Sequence, residues 1–169
     1  METTCLIRKM QTSDVKELSQ GFINQGWPGR EEILARYFLE QECGEREVLV
    51  AEVEGALAGY ITILPCAKQG PFAEIYPELS DFNVFEPFQN QGIGNLLMEE
   101  AEKRVKLISD KVTLGVGLHS GYGPAQRLYI KRGYIPDGTG VWYQNHRPAM
   151  NAVCEDIGDL VLYLSKNLF

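Results

Sequence analysis

The sequence predicts an α/β fold: one domain over residues 1–169, with a mixed, mostly antiparallel sheet, a central parallel strand pair and helices on both faces. Three observations predict it. Short apolar runs bounded by turn residues recur along the chain, two of them spaced as a β-hairpin. Stretches of helical periodicity interrupt them. One strand–helix–strand stretch, from 79 to 116, needs a crossover and therefore a parallel pair. The length of 169 residues suits one domain of about 100–200 residues with a core of its own.

Leu6, Ile7 and Met10 open the chain as a strand. Ser13 or Asp14 can cap a helix, with Glu17 three residues after Asp14 and an apolar stripe of Val15, Leu18 and Phe22. Gly26-Trp27-Pro28-Gly29 breaks it. A second helix carries Ile33, Leu34, Tyr37 and Phe38 on one face and stops at Gly44. Residues 48–53 and 56–63 are strands of an antiparallel hairpin joined by Glu54-Gly55. Pro65, Gly70-Pro71 and Pro77 make 65–77 irregular, and 79–84 is a strand. A helix runs from 92 to about 109, with Leu97, Ala101, Val105 and Ile108 along one side. Its charges Glu99, Glu100, Glu102, Lys103, Arg104 and Lys106 read as a solvated face of i,i+4 pairs. Residues 112–116 form a strand, 124–131 a short helix, and 141–143 and 160–164 the last two strands. The order is βααβββαβαββ.

No apolar run approaches the ~20 residues of a membrane helix, and residues 1–4 lack the basic-then-apolar pattern of a signal peptide. The four cysteines, Cys5, Cys43, Cys66 and Cys154, are scattered without a C-x-x-C pair, and His119 and His146 sit in no ligand pattern. These features predict reduced thiols, a cytoplasmic protein and no metal. A net charge of −7 argues against nucleic acid as the main partner. It is compatible with a cationic substrate, and equally with simple solubility.

The chemistry concentrates in Asp81-Phe82-Asn83-Val84-Phe85-Glu86-Pro87-Phe88-Gln89-Asn90-Gln91-Gly92-Ile93-Gly94-Asn95-Leu96-Leu97. A strand ends near Val84, a polar loop follows, and two glycines open an amphipathic helix. The first amides of a helix have no internal partner and lie at the positive end of its dipole. Glycines there let a ligand approach the backbone, giving an anion site made mostly of main chain. A tight strand-to-helix turn would use the same residues. A P-loop would need Gly-Lys-Ser/Thr, and a dinucleotide fold a third glycine where Leu97 stands.

The pattern Gln-x-x-Gly-x-Gly at residues 89–94, after a strand ending in Val and followed by Leu96-Leu97, resembles the acetyl-CoA motif of the GNAT-type N-acetyltransferase superfamily. Downstream, Ala125-Gln126-Arg127-Leu128-Tyr129-Ile130-Lys131-Arg132-Gly133-Tyr134 resembles that superfamily's Ala-x-x-Leu-Tyr-x-Lys-x-Gly-Phe/Tyr helix. The resemblance covers roughly residues 47 to 166. It implies a GNAT-like fold, acetyl-CoA as co-substrate, and a central parallel strand pair that splays apart, opening a slot between the strand ending at Val84 and that of residues 112–116. It also implies that backbone amides from Gln89 or Gln91 through Gly92, Ile93, Gly94 and Asn95 bind the pyrophosphate. Val84 and Phe85 would hydrogen-bond the pantetheine arm and the acyl carbonyl, and Tyr129 would lie near the thioester sulfur. Tyr122 stands where the family often has a pantetheine-binding Asn, which departs from the pattern.

These implications sketch a reaction. A primary amine with a pKa of ~10.4 must lose a proton before it attacks. Glu78 sits where family members that use a glutamate often have it, and Asp81 is the second candidate, ahead of Glu74 and Glu86. Strand alternation puts Glu78, Ser80, Phe82 and Val84 on one face and Asp81 and Asn83 on the other. Trp27, Phe72, Trp142 and Tyr143 fall in segments that border the acceptor pocket in the superfamily, or serve packing. The acceptor is a small-molecule or protein amine, and a homodimer is left open. A non-catalytic acyl-CoA-binding or sensing module and a purely structural anion-binding domain are the competing readings.

Overall fold

The protein is described by a computed structural model over residues 4–169; residues 1–3, read above for a leader, lie outside the described residues. In chain order the elements are β1 (Cys5–Lys9), α1 (Asp14–Asn24), α2 (Glu31–Glu42), β2 (Glu47–Val53), β3 (Ala56–Leu64), β4 (Glu78–Val84), α3 (Ile93–Lys106), β5 (Lys111–Gly117), α4 (Gly123–Lys131), β6 (Ile135–Tyr143) and β7 (Leu160–Asn167). Short 3-10 turns over Glu86–Phe88 and Ser120–Tyr122 precede α3 and α4. The strand order is β1-β2-β3-β4-β5-β7-β6. Pairs β1–β2, β2–β3, β5–β7 and β6–β7 are antiparallel, and β4–β5 is parallel through Glu78↔Thr113 and Leu79↔Leu114. This is the mixed α/β sheet expected from the sequence.

The chain divides into two compact units, Met1–Leu64 with Ser80–Arg104, and Pro65–Leu79 with Val105–Phe169. In the first, Glu54 and Gly55 take φ of 51° and 84°, the paired positive values of a type I′ hairpin turn, and so set the register of β2 against β3. Leu18, Phe22, Leu34, Tyr37, Val48, Val50, Tyr60 and Phe85 bury together as its core. Burying each large apolar side chain contributes about 1.5–3 kcal/mol. Leu34 and Tyr37 come from the predicted face of α2, with Ile33 and Phe38 partly buried beside them. In the second unit, Val112, Leu114 and Val116 alternate as the buried face of β5, and Tyr129, Tyr134, Tyr163 and Leu164 are buried as well.

Several local expectations change. Ser13 makes no capping bond; Asp14 instead accepts from the Gln11 amide at 2.7 Å and pairs with Arg8. Glu17 does not close a capping box but accepts the Leu57 amide at 3.0 Å, tying α1 to β3. The helical stripe ends at Val105, because α3 stops at Lys106 and leaves Ile108 exposed. On that helix, Glu99–Lys103 and Glu100–Arg104 form the expected pairs, but Glu102 is buried. β6 begins six residues before the predicted 141, with its register shifting between Pro136 and Val141.

Gly59 in β3 is required by close approach. A Cβ there would run into the Asn83 carbonyl oxygen and come within 2.9 Å of Val84 Cα. Both obstacles are backbone, so neither can rotate away. Gly59→Val is expected to cost about 1–3 kcal/mol as overpacking, seen as a lower urea midpoint. An unchanged midpoint would show that β3 and β4 can part without penalty.

Candidate active site

The first unit carries the strand–loop–helix segment intact. Phe85 closes β4 by donating its amide to Ala58 O at 2.8 Å, and its ring sits edge-on to Phe22 with centroids 5.2 Å apart. That ring also fills the space over Gly21, where a Cβ would lie 2.5 Å from it. Phe85 is therefore an anchor: its amide is committed to β3, and its carbonyl already accepts from Phe88 at 2.9 Å. Gln89 Nε2 donates back to Val84 O at 2.9 Å, and Gln91 Nε2 to Pro87 O at 3.0 Å. These two side chains brace the loop from within.

Residues 89–92 are exposed, and Asn90 and Gly92 have φ of 60° and 83°. Nothing lies within 4 Å of a Cβ built on Gly92. Glycine is thus needed there for its backbone angle, and the space beside it is open. Ile93, 3% exposed, pins the start of α3, and Leu96 N to Gly92 O at 3.2 Å is the turn's closing bond. Amides before Leu96 have no carbonyl inside the helix to bond. A diphosphate fits this arrangement of exposed main chain, open space and positive helix end.

Asp81 behaves differently from a base. Its carboxylate accepts four hydrogen bonds: Arg30 Nη1 at 3.0 Å, Arg30 Nη2 at 2.7 Å, Tyr37 Oη at 2.9 Å and Asn83 Nδ2 at 2.9 Å. A carboxylate has about four lone-pair positions, so none remains for the proton of an incoming amine. Arg30 also donates to Tyr60 Oη at 2.6 Å and lies over the Phe22 ring. Burial opposes the Arg30 charge most strongly, but the hydrogen bond to Asp81 and the electrostatic pull of Tyr60, Asp81 and Tyr37 together outweigh it and raise the guanidinium's pKa. Burial and the Asp81 charge both push the Tyr37 and Tyr60 phenols up, keeping them neutral donors. Asp81 and Asn83 do share a face, as alternation predicts. Asp81 itself holds a φ of 46°, so the strand bends at that residue.

The second unit holds the remaining candidates. Glu78 is half-buried at the start of β4, opposite Thr113 of β5. In antiparallel register Gly115 faces Tyr163, whose ring packs over the bare Gly115 and under Gly70. Burial, then the charge of Glu78, raise the Tyr163 phenol. Trp142 meets Tyr163 edge-on at 5.8 Å and donates Nε1 to Thr139 Oγ1 at 2.7 Å. Tyr129 lies in α4, 8% exposed, its ring centroid 6.0 Å from that of Tyr134. Burial pushes its hydroxyl up to about 12. Tyr122 covers Gly117 at the end of β5, where a Cβ would meet the ring at 2.5 Å.

The segment from Asp81 to Asn95 is thus assembled in one unit, and Glu78, Tyr122 and Tyr129 belong to the other. Glu74 and Glu86 are both exposed. Of the aromatics, Phe72 packs edge-on to Tyr76 and Tyr143 to His146, whereas Trp27 is 62% exposed and does not serve the core. Sequence reasoning missed Arg30, Tyr37, Tyr60 and Asn83 as partners of Asp81. One signal was present: Arg30 stands at the N-cap of α2, where the helix dipole disfavours a cation unless something else holds it.

A family model described as the acetyltransferase (GNAT) family matches residues 13–134. No curated protein matches the chain. Among solved structures it is similar to an N-acetyltransferase from Staphylococcus aureus Mu50, at 14% identity over 99% of this chain and 100% of that one, with a TM-score of 0.74. The ribosomal-protein-alanine N-acetyltransferase from Brucella melitensis aligns at 23% identity over 96% and 99%, with a TM-score of 0.70. yncA from Salmonella typhimurium, solved with its cofactor acetyl-CoA, aligns at 18% over 98% and 94%, with a TM-score of 0.69. At these identities the likeness establishes the fold.

Burial of Tyr129 has a measurable consequence. The folded chain keeps this proton until about pH 12, whereas an exposed tyrosine loses it near 10. Below pH 10 neither state ionises, and the stabilisation from burying the neutral phenol is fully present. Between 10 and 12 the unfolded chain binds fewer protons, so stability falls as pH rises. Tyr129→Phe should therefore lose stability less steeply than the parent over that window in urea titrations. Equal slopes would contradict a buried, neutral hydroxyl.

Proposed function

Because the chain belongs to the GNAT family of acetyltransferases, whose model spans residues 13–134, we propose that it transfers the acetyl group of acetyl-CoA to a primary amine by direct attack. The observation that carries this reading is the loop before α3. Residues 89–92 are exposed, Gly92 has a positive φ with open space beside it, and a helix begins at Ile93. Main-chain amides of Gln89, Gln91, Gly92, Ile93, Gly94 and Asn95 would hold the pyrophosphate there, and Val84 the acyl arm. Bound acetyl-CoA supplies the activated thioester.

Glu78 is the base in this reading, since the four donors on Asp81 leave that carboxylate no free lone pair. Glu78 takes a proton from the acceptor's ammonium and passes it to solvent. The freed nitrogen attacks the acyl carbon, and the carbon–sulfur bond breaks. The Val84 amide donates to the acyl oxygen as negative charge grows on it. The second proton leaving nitrogen ends on the departing thiol. Tyr129 helps by donating a hydrogen bond to that sulfur rather than by giving up its proton. Full transfer from a hydroxyl near 12 to a thiolate whose acid has a pKa of ~8.5 would be uphill by about 5 kcal/mol. Tyr122, in place of an asparagine, would line the pantetheine arm with a ring.

The acceptor is an amine of a small molecule or a protein. The likeness to ribosomal-protein-alanine N-acetyltransferases makes a protein α-amine one class to try. The net charge of −7 suits a cationic acceptor. No helix among the described residues is long and apolar enough to cross a membrane, and all four cysteines are unpaired. Both observations suit a cytoplasmic enzyme.

One experiment tests the reading: thiol release from acetyl-CoA with a panel of primary amines, run on the parent and three variants. The parent should release CoA only when amine is present. Gly94→Glu, which puts bulk and negative charge at the pyrophosphate, should lose acetyl-CoA binding while staying folded. Glu78→Gln should slow turnover at neutral pH and recover at high pH. Tyr129→Phe should slow single turnovers at unchanged acetyl-CoA affinity, by up to about 10²-fold for a lost donor. Acetyl-CoA binding without amine-dependent release across the panel would make the protein an acyl-CoA-binding module. Unchanged affinity in folded Gly94→Glu would remove the cofactor assignment.

A further inference from the structure

We propose that Arg30 is a positioning residue for acetyl-CoA: through Asp81 it holds the left-handed bend of β4 that aims the strand's following amides at the acyl arm. This rests on the acetyl-CoA reading above. The argument starts from the backbone. Asp81 has a φ of 46°, a left-handed conformation that crowds the Cβ of any residue but glycine. Aspartate tolerates this better than most residues, yet it still needs surroundings that over-determine the bend.

Those surroundings are specific. Arg30 reaches Asp81 with both ends of its fork, at 3.0 and 2.7 Å, a geometry that fixes direction as well as charge. Arg30 is itself located from three sides. Its amide donates to Ser19 Oγ at 2.9 Å, its guanidinium lies over the Phe22 ring at 5.1 Å, and Nη1 donates to Tyr60 Oη at 2.6 Å. One residue upstream, Ser80 O accepts from Thr62 Oγ1 at 2.7 Å, and that hydroxyl accepts from Arg46 at 2.7 Å. Downstream, Asn83 bonds Asp81 through its side chain, and Phe85 N is tied to Ala58 O.

The bend therefore sits between two fixed stretches of strand, and the side-chain bonds to Asp81 hold it at residue 81. Without the fork of Arg30 the backbone at 81 can relax toward ordinary extended strand, and a one-residue slip of register reverses the direction of every side chain a strand carries. Either change re-aims the main chain that leads into Val84, the residue assigned to the acyl arm. The loop 89–92 would not be affected, because Gln89 and Gln91 brace it to Val84 and Pro87 by their own side chains. Arg30 should thus matter for the acyl arm and not for the diphosphate.

That difference is the test. Calorimetry would measure two ligands on the folded parent and on Arg30→Met: acetyl-CoA, and 3′-phospho-ADP, which has the nucleotide and diphosphate without the arm. Arg30→Met should weaken acetyl-CoA by at least about ten-fold, as misplacement of a binding group does, with 3′-phospho-ADP unchanged. Arg30→Lys, which keeps the charge but loses the fork, should fall between. Amide exchange by mass spectrometry should rise in peptides covering 80–84 and stay level in those covering α1. Parent-like binding of both ligands overturns the proposal, and so does equal weakening of both, which would mean general damage. If Arg30→Met does not fold, Arg30→Lys and Asp81→Asn decide on the same two affinities. Failure of the parent to bind either ligand would instead refute the acetyl-CoA reading itself.

Discussion

Asp81 turns β4 through a left-handed conformation, and the ion pair to Arg30 at 2.7 Å is the interaction on which the course of that strand depends. Both side chains are largely shielded, at 24% and 15% exposure. A pair of this kind adds little net stability over an apolar pair of the same shape, because removing both charges from water is costly. Losing one partner, however, costs about 3–5 kcal/mol, since the other charge is left buried and alone. The pair is thus better understood as a device that specifies geometry. Tyr37, Tyr60 and Asn83 complete it by filling the remaining donor and acceptor positions. Gly59 completes it on the other side by letting the Asn83 and Val84 backbone come close to β3.

Strand β4 then divides its labour along its length. Glu78 and Leu79 pair with β5, and the residues from Ser80 onward belong to the unit that carries the loop and α3. The two carboxylates on this strand sit in different surroundings. Asp81 accepts four hydrogen bonds, and Glu78 stands on the β5 side, near enough to Tyr163 for its charge to raise that phenol. Tyr129, held up to about 12 by burial, is a hydrogen-bond donor throughout the physiological range. A neutral donor of this kind can lower the energy of a leaving thiolate without being consumed.

Much of this was legible in the sequence, because the signals were local. Glu54-Gly55 announced the hairpin, Gly44 the end of α2, and the run from Val84 to Leu97 the strand–loop–helix. What escaped depended on partners distant in the chain. Arg30 and Asp81 are 51 residues apart, and nothing in either neighbourhood names the other. Glu17 looked like half of a capping box until Leu57, 40 residues on, proved to claim it. The extent of β6 was hidden by Gly138 and Gly140, whose φ of 92° and 78° break the alternation that marks a strand. Phe85 was expected to serve the ligand through its backbone, but its amide is committed to Ala58, a pairing that only the sheet register determines.

The central claim is that main chain from Val84 through the start of α3 receives acetyl-CoA. Amide chemical shifts followed by NMR while acetyl-CoA is titrated into the parent chain test it most directly. The account predicts saturable shifts that are largest at Val84 and from Gln91 to Asn95, with those from Gln91 to Asn95, but not that of Val84, reproduced by 3′-phospho-ADP alone. No saturable shift would contradict it. So would shifts centred instead on the groove that Thr12, Lys16, Ala35 and Phe38 line between α1 and α2.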